Sequence, residues 1–419
     1  MSSGQTFVIV GGGLAGARAA EALRDEGFEG RVVLFGEEPL RPYERPPLSK
    51  EYLRGEKGFD HAAVHSAAYY DAHGIELRTS TTVTAMDPGA RELTLASGER
   101  APYDRLLLAT GATPRRLDVP GTGLPGVHYL RTAADADSLR GAIAAGGRVV
   151  VIGAGWVGAE VAASARELGA EVAMVELASV PLESALGPEL GAVYRQLHAD
   201  HGVELHFGIG VQALEGREIV ERVRLGDGTV LPADAVVIGV GVLPRDELAR
   251  AAGLGPSDGV AVDEYLATDA PGVYAAGDVA NAYYPRYGAH IRLEHWSAAL
   301  NQGPVAARNM LGLGSRYEHI PYFYSDQYDF GMEYRGWAPT FDRVVLRGDP
   351  ASHKFLAFWL DHGTVVAAMN VNIWDAGEVI DALLEACHRV DPRRLADPDV
   401  DLAELALPTS SKAALGGRF

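Results

Sequence analysis

The chain has 419 residues, 47% of them hydrophobic, and a formal net charge of -19. That length exceeds one compact core and implies two or three domains, the apolar share excludes bulk disorder, and the acidic balance argues against nucleic-acid binding. A single cysteine, Cys387, excludes an intrachain disulfide framework, a redox disulfide and a Cys-ligated zinc or iron–sulfur centre, and no other metal-ligand spacing stands out.

Thr6–Val10 reads as a buried strand ending in Gly11-Gly12-Gly13-Leu14-Ala15-Gly16. A helical stretch, Ala17–Arg24, and a second strand, Arg31–Phe35, complete a strand–turn–helix–strand unit. Tyr103–Gly111 (YDRLLLATG) is a strand running into a small-residue turn. The unit then recurs, with a strand at Arg148–Ile152, the turn Gly153-Ala154-Gly155-Trp156-Val157-Gly158, a helix at Ala159–Leu168 and a strand at Glu171–Val175. The fingerprints begin 142 residues apart (153 − 11), too far for a solenoid repeat and suited to two related nucleotide domains.

Ala233–Gly241 (ADAVVIGVG) matches the YDRLLLATG strand, and Gly272–Asp278 (GVYAAGD) is another strand ending in glycine and aspartate. This order places one domain inside another, with 1–111 and 244–319 forming the outer domain and 112–243 the inserted one. From about Ile320 the chain becomes rich in aromatics. Arg343–Arg347 and Phe355–Leu360 alternate like antiparallel strands, and Asp375–Ala386 reads as a helix. A third, α+β domain is therefore expected over 320–405, with a tail at 406–419. No targeting segment is expected at Met1–Thr6, and the longest apolar runs are too short to span a bilayer. The expected location is the cytoplasm, with no membrane partner.

The fingerprints carry specific chemistry. Gly11 permits the tight turn, Gly13 lets backbone approach a pyrophosphate at the positive helix N-terminus, and Gly16 allows close helix–strand packing. Glu37, 21 residues past Gly16, is placed to accept hydrogen bonds from a ribose. Glu176 stands 18 residues past Gly158, where a carboxylate favours a free 2′-hydroxyl and repels a 2′-phosphate. The following Leu177–Leu186 holds no basic residue, so NADH is expected over NADPH. Two dinucleotides in one chain suggest a resident FAD and a diffusing NADH, with hydride passing from the nicotinamide to flavin N5.

Other residues admit two readings each. Three prolines in Arg41–Lys50 (RPYERPPLSK) stiffen a loop that either holds Arg45 and Lys50 beside a cofactor or is a solvated basic loop. Glu160, just after the second fingerprint at the helix start, is either a site residue or interacts with the helix dipole. Asp278 either holds sugar hydroxyls or caps a turn. His295 and Trp296, in LEHWSAALNQG, are either site residues or structural.

Together the segments VIVGGGLAGARAAEALR, RPYERPPLSK, LLLATGATPR, YLRT, VVVIGAGWVGAEVAA, VYAAGDVA, RLEHWSAALNQG and PYFYSDQYD resemble the NADH-dependent ferredoxin reductases of bacterial oxygenase systems. That family includes the putidaredoxin, rubredoxin and Rieske-dioxygenase reductases, and the resemblance runs from about Phe7 to about Leu405. It implies an α/β fold of two Rossmann-like, glutathione-reductase-like dinucleotide domains, an FAD domain and an inserted NAD domain, plus the smaller C-terminal α+β domain.

The resemblance also implies residue roles. Leu14, Ala15 and the neighbouring glycines lie by the FAD pyrophosphate, Glu37 and Arg45 bind the adenosine half, and Val83 contacts the adenine region. Ala109, Thr110, Gly111 and Arg131 reach FAD. Gly277 and Asp278 serve the ribityl chain, with Glu294, His295 and Trp296 by the flavin ring. Lys50 sits near its reactive edge and pairs with Glu160. Gly153, Gly155, Trp156, Val157, Gly158, Glu176 and Gly241 line the NADH path. Lys50, Glu160 and Trp296 form the catalytic set.

Three departures from the family pattern stand out. Ser184 replaces a frequent arginine, Trp156 a smaller aliphatic or tyrosine, and Tyr324 a frequent tryptophan. The Trp156 indole is expected to cover the nicotinamide pocket and swing aside for NADH.

The leading function is electron transfer from NADH through FAD to a small iron–sulfur ferredoxin. Disulfide reductases and cysteine-dependent NADH oxidases or peroxidases are disfavoured, because Cys387 lies outside the nucleotide domains. A monodehydroascorbate-type reductase and a redox sensor resembling apoptosis-inducing factor remain alternatives. Residues 285–360 hold eight Lys/Arg and seven Asp/Glu, making Arg308, Arg316 and Arg335 candidates either for a docking rim or for scattered solvated charges.

Overall fold

A computed structural model describes residues 4–144, 147–255 and 258–407. Beyond 407, the expected tail lies outside the described residues. The chain divides into two compact units, Met1–Leu117 with Tyr129–Gly141 and Val240–His319, and Asp118–His128 with Ala142–Gly239 and Ile320–Phe419.

Each unit is built on a five-stranded parallel sheet. In the first, the strands run in the order Val273–Ala275, Arg105–Leu108, Thr6–Val10, Arg31–Phe35, Ile75–Arg78. In the second, the order is Val127–His128, Ala235–Ile238, Arg148–Ile152, Glu171–Glu176, Glu204–Phe207. The topologies correspond strand for strand, except that the edge strand Val127–His128 of the second sheet comes from earlier in the chain than the rest, whereas its counterpart Val273–Ala275 comes last. Covered on both faces, the central strands read as near-continuous Val, Ile and Leu, and Val8, Ile9, Leu107, Val150 and Val236 are fully buried. A three-stranded antiparallel sheet accompanies each, at Val83–Asp87, Glu92–Leu95 and Arg100–Pro102 in the first unit and Val211–Glu215, Arg222–Leu225 and Val230–Pro232 in the second.

The segment from Tyr322 to Ala406 adds a five-stranded antiparallel sheet to the second unit, in the order Tyr322–Gln327, Phe330–Gly336, Thr364–Val371, Lys354–Asp361, Arg343–Asp349. Alternation along these strands gives two apolar faces. One face, with Phe330, Met332, Phe355 and Trp359, packs on Leu186, Leu190, Tyr194 and Leu197. The other packs on Ile380, Leu383 and Leu384 of the helix Gly377–Ala386 and on Leu395, Leu402 and Leu405. The Trp359 indole N–H donates to the Leu186 carbonyl at 3.1 Å, so its polar edge is satisfied inside this core.

Candidate functional site

The first fingerprint opens between Thr6–Val10 and Arg105–Leu108, where the strand order reverses. Ligands of open α/β sheets bind at such a switch point, beyond the carboxyl ends of the strands. Gly11 has φ +128, and a Cβ there would lie 2.0 Å from the Ala109 carbonyl oxygen. A Cβ on Gly16 would lie 2.1 Å from the Gly11 carbonyl oxygen. Gly13 is different, since a Cβ there would meet nothing within 4 Å. It is the N-cap of the helix Leu14–Asp25 and supplies no capping side chain. Nothing fills the space a side chain would take at this N-cap, and an uncapped helix N-terminus with that room fits a pyrophosphate.

The second fingerprint repeats this at the reversal between Arg148–Ile152 and Ala235–Ile238. Gly153 has φ +97, Gly158 would drive a Cβ to 2.0 Å from the Gly153 carbonyl oxygen, and Gly155 is an uncapped N-cap with open space in front. The helix it opens runs Trp156–Glu167, three residues earlier than the sequence reading. Glu176 ends the adjacent strand, and its carboxylate accepts from the Ala154 N–H at 2.7 Å and the Ala178 N–H at 3.1 Å. The acid is therefore tied to the glycine turn. Gly155 and Val157 are exposed on this face. Ser184 is also exposed, in the short helix Glu183–Leu186. Gly241 falls in the first unit, where its carbonyl accepts from the Arg115 N–H at 2.9 Å.

Within the first unit, Arg131 Nη2 donates to Asp278 Oδ2 at 2.6 Å. Gly277, with φ +79, lies against Ala15, and its N–H donates to Gln302 Oε1 at 2.8 Å. Thr110 Oγ1 donates to the Arg245 carbonyl at 2.6 Å, and the Arg245 N–H donates to the Gly111 carbonyl. The Arg245 guanidinium pairs with Glu37 at 2.6 Å. Arg45 pairs with Glu38 at 2.7 Å, donates to the Tyr43 hydroxyl and reaches the Arg131 carbonyl. Val83 and Ala109 are buried.

The two-way residues now separate. Lys50 is 6% exposed and follows a 3-10 turn at Pro46–Ser49, so the solvated basic loop is excluded. Glu160 is also 6% exposed and accepts from Ser325 Oγ at 2.7 Å, more than a dipole interaction. Trp296 opens the helix Trp296–Met310 and donates its indole N–H to Glu44 Oε2 at 3.0 Å. Burial raises the Glu44 carboxyl above its ordinary pKa, and the Trp296 hydrogen bond opposes that rise. Burial of the His295 imidazole pushes it down to about 4, with Asp278 opposing.

Trp156 packs edge-on against Phe323 (ring centroids 4.8 Å apart) and Tyr194 (6.1 Å). The expected swing of its indole must break both contacts. Arg308 pairs with Glu26, and Arg335 lies within 4 Å of Glu333 and Asp381, so two of the three candidate docking arginines are already paired. Arg316 lies over the Tyr265 ring.

Sequence reasoning singled out none of Arg245, Glu44, Gln302 and Ser325. Glu44, Gln302 and Ser325 sat inside quoted segments, but their partners Trp296, Gly277 and Glu160 lie elsewhere in the chain.

His198, fully buried and hydrogen-bonded to Gln327 Oε1 at 3.0 Å, is pushed by burial down to about 4. Unfolding returns it to about 6.5. Between those values the unfolded chain binds the extra proton, so stability falls as pH drops from 6.5 to 4 and levels off below. The expected loss is up to about 1.4 kcal/mol per pH unit. Melting curves across this window are expected to fall less steeply for His198→Gln, and equal slopes would remove His198 as the source.

A family model described as pyridine nucleotide-disulphide oxidoreductase matches residues 5–303, and one described as reductase C-terminal matches 322–406. The chain is 41% identical over 405 residues to the anthranilate 1,2-dioxygenase system ferredoxin–NAD(+) reductase component of Burkholderia cepacia, covering 96% of this chain and 99% of that one. A ferredoxin reductase for the CYP199A2 system from Rhodopseudomonas palustris superposes with a TM-score of 0.93 at 37% identity, over 96% of this chain and 100% of that one. The covalent putidaredoxin reductase–putidaredoxin complex gives a TM-score of 0.93 at 35% identity, over 100% of both chains. Among the described residues no helix is long and apolar enough to cross a membrane. The chain belongs to the pyridine nucleotide-disulphide oxidoreductase family, oxidoreductases that use FAD and NAD(H), and it carries a reductase C-terminal domain.

Proposed function

We propose that this chain is a cytoplasmic FAD-dependent NADH:ferredoxin reductase whose acceptor is a small iron–sulfur protein serving a cytochrome P450 or Rieske-type oxygenase. The observation that carries this reading is the pair of uncapped fingerprint helices, one per unit, each open in front of its N-terminus and followed by an acid, Glu37 or Glu176. The relatives named above, one of them in complex with putidaredoxin, support the acceptor class. The lone Cys387 leaves the chain without the dithiol of the family's disulphide reductases.

In this reading 1–111 and 244–319 hold FAD, 112–243 admit NADH, and 320–405 form the third domain. FAD supplies the exchange between a two-electron donor and a one-electron acceptor. The backbone N–H groups after Gly13 hold its pyrophosphate. Glu37, positioned by Arg245, and Arg45 hold the adenosine half, with Val83 by the adenine. Arg131 and Asp278 hold the sugar-alcohol chain, flanked by Ala109, Thr110, Gly111 and Gly277. Trp296, fixed by Glu44, flanks the ring with Glu294 and His295. The N–H groups after Gly155 hold the NADH pyrophosphate, and Glu176 takes its ribose hydroxyls. Lys50 and Glu160, each buried in its own unit, are ionisable side chains placed for a reacting site and not for the surface.

Stopped-flow mixing tests this reading. NADH is expected to bleach the flavin much faster than NADPH, and cytochrome c reduction is expected only when a ferredoxin is added. Slow bleaching by NADH that ferredoxin leaves unaffected would instead favour the redox-sensor alternative.

A further inference from the structure

A chain of hydrogen bonds leads away from Glu160 through the second unit. Ser325 Oγ donates to Glu160 Oε1 at 2.7 Å, and Gln327 Nε2 donates to Ser325 Oγ at 3.2 Å. Gln327 Oε1 lies 3.0 Å from His198 Nε2, and His198 Nδ1 lies 3.3 Å from the Tyr328 hydroxyl. Ser325, Gln327 and His198 are at most 1% exposed.

Strand geometry explains the placement. Ser325 and Gln327 are two apart on Tyr322–Gln327, so both point to one face, while Asp326 between them is exposed. That strand packs against the helix Trp156–Glu167, which carries Glu160. His198 comes from the helix Pro188–Asp200. Tyr328 follows the strand in a left-handed turn, and its ring is stacked on His201 at 3.6 Å.

The polarity of this chain is determined. A carboxylate oxygen only accepts, so the Ser325 proton points at Glu160. The Ser325 oxygen then accepts, Gln327 must present its amide nitrogen to it, and the amide oxygen must face His198. His198 is neutral near pH 7, so it carries its proton on Nε2 and accepts at Nδ1 from the Tyr328 hydroxyl. Every proton is directed toward Glu160.

We propose that Ser325, Gln327, His198 and Tyr328 are positioning residues that fix the Glu160 carboxylate in one orientation for the nicotinamide, so that the C-terminal sheet completes the NADH site. This rests on the assignment of Glu160 to the NADH reaction. A short hydrogen bond to a buried carboxylate favours one rotamer, so without it Glu160 loses alignment more than the protein loses NADH affinity.

The test uses flavin-loaded Ser325→Ala, Tyr328→Phe, Glu160→Gln and the double variant Ser325→Ala/Glu160→Gln, mixed anaerobically with NADH. Two quantities are read, the limiting rate of flavin bleaching and the apparent Kd for NADH. Ser325→Ala is expected to lower the limiting rate about tenfold, with Kd shifted less than about twofold. Tyr328→Phe, which keeps the ring, is expected to lower the rate by about two- to threefold. The double variant is expected to react no more slowly than Glu160→Gln alone, because the serine acts only through the carboxylate. Multiplying effects, or a Ser325→Ala rate equal to wild type while Glu160→Gln is slow, overturns the positioning role. An unchanged rate in Glu160→Gln overturns the assignment of Glu160 itself. Dithionite reduction and melting temperature separate both from general damage to the fold.

Discussion

Gly16→Ala protein is expected to purify colourless, whereas Gly158→Ala protein is expected to stay yellow and lose its reduction by NADH. The two glycines look equivalent in the sequence, and their local geometry is nearly the same. A Cβ would stand 2.1 Å from the Gly11 carbonyl oxygen in one case and 2.0 Å from the Gly153 carbonyl oxygen in the other. Neither oxygen belongs to a side chain that rotates away, so the turn itself must move. Forcing a methyl into such a packed site costs about 1–3 kcal/mol. Spent on a displaced pyrophosphate cradle, that is about 5- to 150-fold in affinity. The lesions lie in separate units, and so their effects divide. The ratio of flavin to protein absorbance checks the first, and anaerobic titration with NADH and then dithionite checks the second. Gly158→Ala protein should still bleach with dithionite. A reversed pattern, with flavin lost from Gly158→Ala and kept in Gly16→Ala, would exchange the cofactors assigned to the two fingerprints.

The fingerprints were legible because backbone contacts dictate them. Only glycine fits beside a carbonyl at 2 Å, so Gly16 and Gly158 carry structural information whatever their neighbours are. The central strands were legible for a similar reason, since burial on both faces demands unbroken apolar runs. The helix after the second turn was placed three residues late because Gly158 reads as a helix breaker. In the fold it is an internal helix residue, retained where helix and strand approach closely. Asp375–Ala386 began two residues early, because Gly377, taken there as an internal residue, is the first residue of the helix.

The side-chain environment of the site was far less legible. Lys50 sits in a stretch whose prolines and charges suit a solvated loop as well as a buried one, and only the packed fold decides. Glu160 and Ser325 are 165 residues apart, and no local pattern links them. Arg245 reaches Glu37 across 208 positions. Hydrophobic periodicity fixes elements, and elements fix which polar side chains meet, but nothing in the periodicity names those pairs. Trp156 shows the same limit. As an unusual aromatic beside the fingerprint it invited a gating role, yet its ring is part of the contact between the helix Trp156–Glu167 and the C-terminal sheet through Phe323.

Glu176 carries the second large expected effect. Both its oxygens are committed to backbone N–H groups, those of Ala154 and Ala178, and each retains a lone pair for a ribose hydroxyl. Glu176→Ala removes charge-assisted hydrogen bonds worth about 1.5–3 kcal/mol in all, so kcat/KM for NADH is expected to fall by about 10- to 150-fold. NADPH responds differently. Its 2′-phosphate meets a like charge in the parent protein, a repulsion of roughly 3–4 kcal/mol at 4–5 Å for an effective dielectric near 20. The alanine variant relieves that repulsion, and kcat/KM for NADPH is expected to hold or rise. The ratio of the two constants should therefore collapse by about 100-fold or more. Glu176→Gln separates the two contributions, because it keeps an acceptor oxygen and removes the charge. It is expected to retain most of the NADH activity while admitting NADPH. Steady-state kinetics with both nucleotides at one ionic strength give the comparison. If the ratio survives in Glu176→Ala, discrimination resides elsewhere in the second unit, and the segment Leu177–Leu186, without a basic residue to pair with a phosphate, becomes its source.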